Sequence, residues 1–146
     1  MPTSLQPGAS TTRTLSVDTT RTIAFLGPEL RIYATPELVR DIEETCLEFL
    51  LAHVDAGENS VGTGIELAHL AATPLGMAVE ITATVTEVDG RSVTFEVIAR
   101  DAEEEICRAT HSRFVVGVEK LRVRVAAKAA RAAAGLAATD AARRGA

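Results

Sequence analysis

The first residue in this chain that suggests chemistry is a carboxylate in apolar company. Laid out at 100° per residue, the segment 36–54 gathers Val39, Ile42, Cys46, Leu47, Leu50 and Val54 into one stripe about 140° wide, and Glu43 falls inside it. Glu37, Asp41, Glu44 and Glu48 collect on the opposite side, read here as the solvent face. An ionised carboxylate taken out of water without a partner is costly. Glu43 therefore has an ion-pair partner, for which Arg113 is the candidate, or an exposed position at an incomplete interface, or else a chemical use, because a carboxylate shielded from water is a better base and nucleophile. His69 is the second candidate. It sits in an extended run with Ile65 and Leu67 on its face, where a histidine is more often a satisfied core or edge residue than a proton carrier. His53, near the end of the helical segment, suits the negative end of the helix dipole and reads as structural. His111 shares a strand face with Cys107, Ala109 and Arg113 and reads either way.

Other chemistries lack their residues. The chain has no glycine-rich phosphate loop, no nucleophile elbow and no cysteine or histidine pair at zinc spacing, so no metal is expected. Cys46 and Cys107 lie in apolar surroundings and read as small buried residues of a reducing compartment, with a disulfide left open. Gly62-Thr63-Gly64 is too short for a dinucleotide fingerprint and instead marks a place where something approaches the backbone closely.

These groups need elements to position them. Thr35 is a suitable helix N-cap, Pro36 suits the first helical position, Glu37 puts negative charge in the first turn, and Gly57 lies just past the end. The helix expected over 36–54 would be about 28 Å long. After it the period changes to two. An extended run over 62–72 meets a turn at Thr73-Pro74 and Gly76, and over 77–88 Val79, Ile81, Ala83 and Val85 alternate with Glu80, Thr82, Thr84 and Thr86. Asp89-Gly90 signals a hairpin into a strand carrying Val93, Phe95 and Val97; an acidic turn over 101–105 leads to a last strand over 106–118. Residues 1–12 are rich in Pro, Ser, Thr and Gly and are expected to be disordered. Residues 13–25 read as an extended segment able to join a sheet edge, broken by Gly27-Pro28. The Ala/Arg-biased tail over 125–146 is expected to be a frayed helix or disordered. One long helix followed by an antiparallel meander is an α+β layout with a single domain over 13–124.

Composition narrows the function. Of the residues, 47% are hydrophobic, enough for one modest core, and 3% are aromatic, too few for stacking on single-stranded nucleic acid. The net charge of -5 hides an asymmetry: the first 118 residues hold 8 basic and 18 acidic side chains, the remainder 7 and 2. An acidic body disfavours duplex binding, and the basic tail reads as a solvated terminus, so no nucleic-acid partner is expected. No apolar run reaches the roughly 20 residues needed to cross a bilayer, and the start of the chain has no signal-peptide core. A cytoplasmic protein without a membrane partner is the expectation.

The segments Ala34-Thr35, Glu43 with Cys46, Val61-Gly62-Thr63, His69-Leu70-Ala71-Ala72-Thr73-Pro74 and Thr110-His111-Ser112-Arg113 resemble the fluoroacetyl-coenzyme A thioesterase family of the hotdog superfamily. The resemblance runs over about 33–120. It implies an antiparallel sheet wrapped around one long central helix, a homodimer, with further pairing into a tetramer left open, and an active site at the interface of two subunits. It further implies Thr35, Glu43 and His69 as catalytic residues, Gly62 and Arg113 as substrate-binding residues, an acyl-CoA substrate, and no cofactor, coenzyme A being part of the substrate. The aromatic lid that precedes the family's threonine differs in length from Gly27-Pro28-Glu29-Leu30-Arg31-Ile32-Tyr33, so a small acyl group other than fluoroacetyl is expected. The same fold also serves non-catalytic acyl-CoA binding, dehydration of 3-hydroxyacyl thioesters, or a structural dimer in which Glu43 is only ion-paired.

Overall fold

A computed structural model describes residues 4–145. Five strands form one antiparallel sheet: β1 (Ser10–Ser16), β2 (Glu58–His69), β3 (Ala78–Asp89), β4 (Ser92–Arg100) and β5 (Glu105–Gly117), in the order β1-β3-β4-β5-β2. Helix α1 (Thr35–Leu51) lies on one face of the sheet, and α2 (Val118–Arg144) follows the last strand.

The period-two pattern sets the core. Val79, Ile81, Ala83 and Val85 of β3 and Val93, Phe95, Val97 and Ala99 of β4 are buried, and Leu38, Ile42, Cys46 and Leu50 of α1 close over them. Burying a Leu, Ile or Phe side chain contributes about 1.5–3 kcal/mol each, so this one face holds helix and sheet together. Gly90, at φ 59°, turns the β3–β4 hairpin, as its Asp-Gly signal predicts.

Three local expectations are corrected. The amino-terminal segment is packed from Leu5, which is buried; Gly8 donates to the Val85 carbonyl at 2.8 Å, and β1 starts at Ser10, inside the stretch expected to be disordered. Residues 1–3 lie outside the described residues. The extended segment after Arg13 stops at Ser16, because Asp18 caps a 3-10 turn over Thr19–Arg21. The helix face is rotated from the expected stripe: Leu38, Asp41, Ile42, Thr45, Cys46 and Leu50 are buried, while Val39, Glu43 and Leu47 sit half-buried at its edge. Asp41, expected in solvent, is 1% exposed, for a reason given below.

The tail is helical in one piece from the end of β5, and none of its residues is buried. Among the described residues no helix is long and apolar enough to cross a membrane.

Candidate active site

Thr35 is the first residue of α1 and not its cap; Ala34 holds the cap position and supplies no side-chain hydrogen bond. The hydroxyl freed from capping lies 2.8 Å from His69 Nδ1. His69 ends β2, so the start of the helix and the end of an edge strand bring this pair together. The ring stands edge-on to Tyr33, 6.4 Å between centroids. Burial holds the His69 pKa below its ordinary value, against an opposing contribution from the Ala71 backbone. Its Nε2 is buried with no hydrogen-bond partner among the described residues. The pair opens into a cleft of about 430 Å³ whose walls include Ile23, Phe25, Leu26, Ile32 and Leu70.

Glu43 belongs to a second group. Its side chain is 45% exposed and lies along the helix edge, with Oε2 3.4 Å from Arg113 Nη1. The carboxylate has the ion pair with Arg113, and it borders a cleft of about 320 Å³ shared with Val39, Leu47 and Arg113. Arg113 is 4% exposed and points inward from β5. It donates from Nε to Ser60 Oγ at 2.8 Å and from Nη2 to the Ser60 carbonyl at 2.9 Å. Burial lowers the Arg113 pKa and the neighbouring carboxylate opposes that shift. The Arg113 donors are thus directed to Ser60 and to Glu43.

Gly62 lies directly beneath the carboxylate. A Cβ built there would meet Glu43 Oε2 at 2.7 Å, a distance no real side chain tolerates, so glycine at 62 is what lets the acid lie on the backbone. Between Gly62 and Gly64 the β2–β5 register slips, leaving Thr63 outside the ladder. An unpaired backbone group at a bulge is available to a ligand.

The structure brings Thr35 to His69, and Glu43 to Gly62 and Arg113. It does not bring the two sets together in one chain. Glu43 lies eight positions beyond Thr35 on the helix, about 12 Å along the axis, and Thr35 and His69 line one cleft while Glu43 and Arg113 line another.

Beside the Thr35–His69 pair stands a cluster that sequence reasoning missed. Asp41 accepts two hydrogen bonds from Arg21, at 2.9 and 3.0 Å, and one from the Tyr33 hydroxyl. Burial, then the bond to Asp41, raises the Tyr33 pKa. Arg21 also binds Asp18 at 2.8 Å, and its carbonyl accepts from Ala34, so the cluster ties the chain before the 23–31 loop to the chain after it. Helical phase could not reveal this, because the partner of Asp41 lies 20 residues away. Tyr33, two residues before Thr35, was the only available signal. Both cysteines are free and buried; burial pushes the Cys46 thiol up to about 12 and Cys107 up to about 11, so neither is a thiolate nucleophile near neutral pH.

The profile of the family described as fluoroacetyl-CoA-specific thioesterase matches residues 17–119. The fluoroacetyl-CoA thioesterase of Streptantibioticus cattleyicolor is 35% identical over 115 residues, 74% of this chain and 83% of that protein. A solved structure of a variant fluoroacetyl-CoA-specific thioesterase in complex with fluoroacetate and CoA is 33% identical, with a TM-score of 0.74 over 80% of this chain and 99% of that one. A hot-dog-like protein from Thermanaerovibrio acidaminovorans is 25% identical, with a TM-score of 0.78 over 84% and 91% of the two chains. The fold is therefore the hotdog, and the chain belongs to the fluoroacetyl-CoA-specific thioesterase family.

Proposed function

We propose that this protein hydrolyses a small acyl-CoA thioester to the free acid and CoA, with Glu43, Thr35 and His69 as the catalytic residues. The observation that carries the reading is the carboxylate of Glu43, laid on Gly62 and held at one oxygen by Arg113. Oε2 is committed to the guanidinium; Oε1 is left to face the thioester. It either attacks the carbonyl carbon, giving a mixed anhydride and CoA thiolate that water then resolves, or takes the proton of an attacking water. Arg113 orients the carboxylate, and backbone N–H at the Gly62–Gly64 bulge stabilises the developing oxyanion. His69, its Nδ1 bonded to Thr35, supplies the proton that the departing sulfur takes up. Nothing in this scheme needs a cofactor.

The separation of the two sets within one chain supports a homodimer. Among the described residues no strand pairs with the outer edge of β2, and Val61 and Ile65 along it are each 39% exposed. A long, unprotected edge is a template for another strand. A second copy docked through β2 would join the clefts around one substrate and supply the wall that each lacks.

The test is release of free thiol over a panel of acyl-CoA esters, fluoroacetyl-CoA included, alongside sedimentation. The expected result is turnover of short acyl chains by a species of twice the 15.4 kDa chain mass. Binding without thiol release, or a change in enoyl absorbance in its place, would reject hydrolysis; an active monomer would reject the shared site.

A further inference from the structure

We infer that His111 is a positioning residue that fixes Arg113, and through it the carboxylate of Glu43, and that it can do so only as a neutral ring carrying its proton on Nδ1. The inference rests on the role proposed above for Glu43.

His111 is 1% exposed and points from β5 into the space between the sheet and α1. Its Nδ1 lies 2.8 Å from the carbonyl oxygen of Gly64, a group that only accepts. Its Nε2 lies 3.2 Å from Arg113 Nη1, a group that only donates. These partners leave one arrangement: Nδ1–H donates to Gly64, and the Nε2 lone pair accepts from Arg113. The same Nη1 reaches Glu43 Oε2 at 3.4 Å, so one guanidinium nitrogen is shared between the imidazole and the acid. Gly64 closes the bulge that begins at Gly62, and His111 Cε1 stands 3.4 Å from the Cβ position of Gly62. One ring thus links the bulge, the guanidinium and the carboxylate.

The charged groups that act on the ring are Arg113 on β5 and Glu43 on α1, and the titratable Cys46 on α1 acts on Arg113. The Cys46 thiol is protonated, and on β2 the ring meets a carbonyl. A second proton, on Nε2, would point N–H at N–H and set two cations against one half-exposed carboxylate. Burial, assisted by Arg113, lowers the His111 pKa in keeping with that geometry.

Two measurements on the full chain test this. In ¹⁵N-labelled protein at pH 7, long-range ¹H–¹⁵N spectra, with His111 assigned by its loss in His111→Gln, are expected to show Nδ1 protonated and Nε2 bare. The Nε2–H tautomer, or a doubly protonated ring, overturns the inference. The second measurement compares His111→Leu with His111→Gln, whose amide keeps one donor and one acceptor. His111→Leu is expected to shift the ¹³C carboxyl resonance of Glu43 and to lower kcat about 10- to 100-fold with KM within about 3-fold; His111→Gln is expected to recover most of both. Equal loss in the two variants, loss in KM alone, or an unmoved Glu43 resonance in a folded His111→Leu protein overturns it. Should His111→Leu not fold, the tautomer and the His111→Gln rate decide. Should the unaltered protein release no thiol from any ester, the hydrolase reading fails, and the tautomer and the Glu43 resonance still judge His111.

Discussion

Gly62→Ala separates positioning from folding. The added methyl would sit 2.7 Å from Glu43 Oε2, whereas ordinary contact begins near 3.4 Å, so the oxygen must retreat by about 0.7 Å. The two next neighbours, His111 Cε1 at 3.4 Å and Arg113 Nη1 at 3.5 Å, already tolerate a Cβ, so the carboxylate alone must give. Gly62 is not among the glycines with positive φ, so alanine fits its backbone. The strained atom is the tip of a flexible side chain, and replacing glycine lowers the entropy of the unfolded chain, so stability is expected to stay within about 1 kcal/mol of the parent. Catalysis is less forgiving. A misplacement of about 1 Å can cost roughly 100-fold, so 0.7 Å should cost about 10- to 50-fold in kcat. The assay is thiol release at saturating acyl-CoA beside a urea melt of the same sample. Full activity would show that Glu43 does not act from where it lies, and activity lost in step with stability would show that Gly62 serves only the fold.

Asp41→Ala leaves the Tyr33 hydroxyl without its acceptor and Arg21 with Asp18 alone, and breaking this largely buried pair is expected to cost about 3 kcal/mol, read as a lower urea midpoint; an unchanged midpoint would place the cluster outside the stability of the fold. Thr35→Ala discriminates cap from site: a lost N-cap would cost about 1 kcal/mol with activity intact, whereas the Thr35–His69 bond predicts turnover down about 10-fold or more with little change in the melt. Burial depresses the pKa of both His69 and His111, so the folded chain holds fewer protons than the unfolded chain just below pH 6.5. Stability is then fully present above about 6.5 and lost as pH falls through the lowered folded values; urea melts from pH 8 to 5 check this, and a midpoint that rises on acidification would contradict it.

Local signals carried much of the fold. Alternation placed β3 and β4, and the Asp-Gly pair placed their hairpin, because a period of two states which face is buried whatever the partner. The helix was legible in its start, though it ends at Leu51 and not at 54, and its phase was not legible. Its buried arc includes Asp41, whose charge is met by Arg21 and Tyr33, so polarity alone pointed it the wrong way. Thr35 shows the same limit: threonine before a proline reads as a cap, and only the nearness of His69, 34 residues on, turns its hydroxyl elsewhere. The proximity of Glu43 and Arg113 was foreseeable as a need of the acid. The ring that completes their network was not, since His111 reaches Gly64 across a gap of 47 residues that no spacing rule spans.

The central claim is that Glu43 does the chemistry, and Glu43→Gln tests it most directly. The amide keeps the shape and an acceptor for Arg113 but can neither attack nor take a proton, so free-thiol release is expected to fall about 1,000-fold with the melt and the sedimentation unchanged. Turnover within a few-fold of the parent, in a protein equally stable and equally associated, would contradict the account.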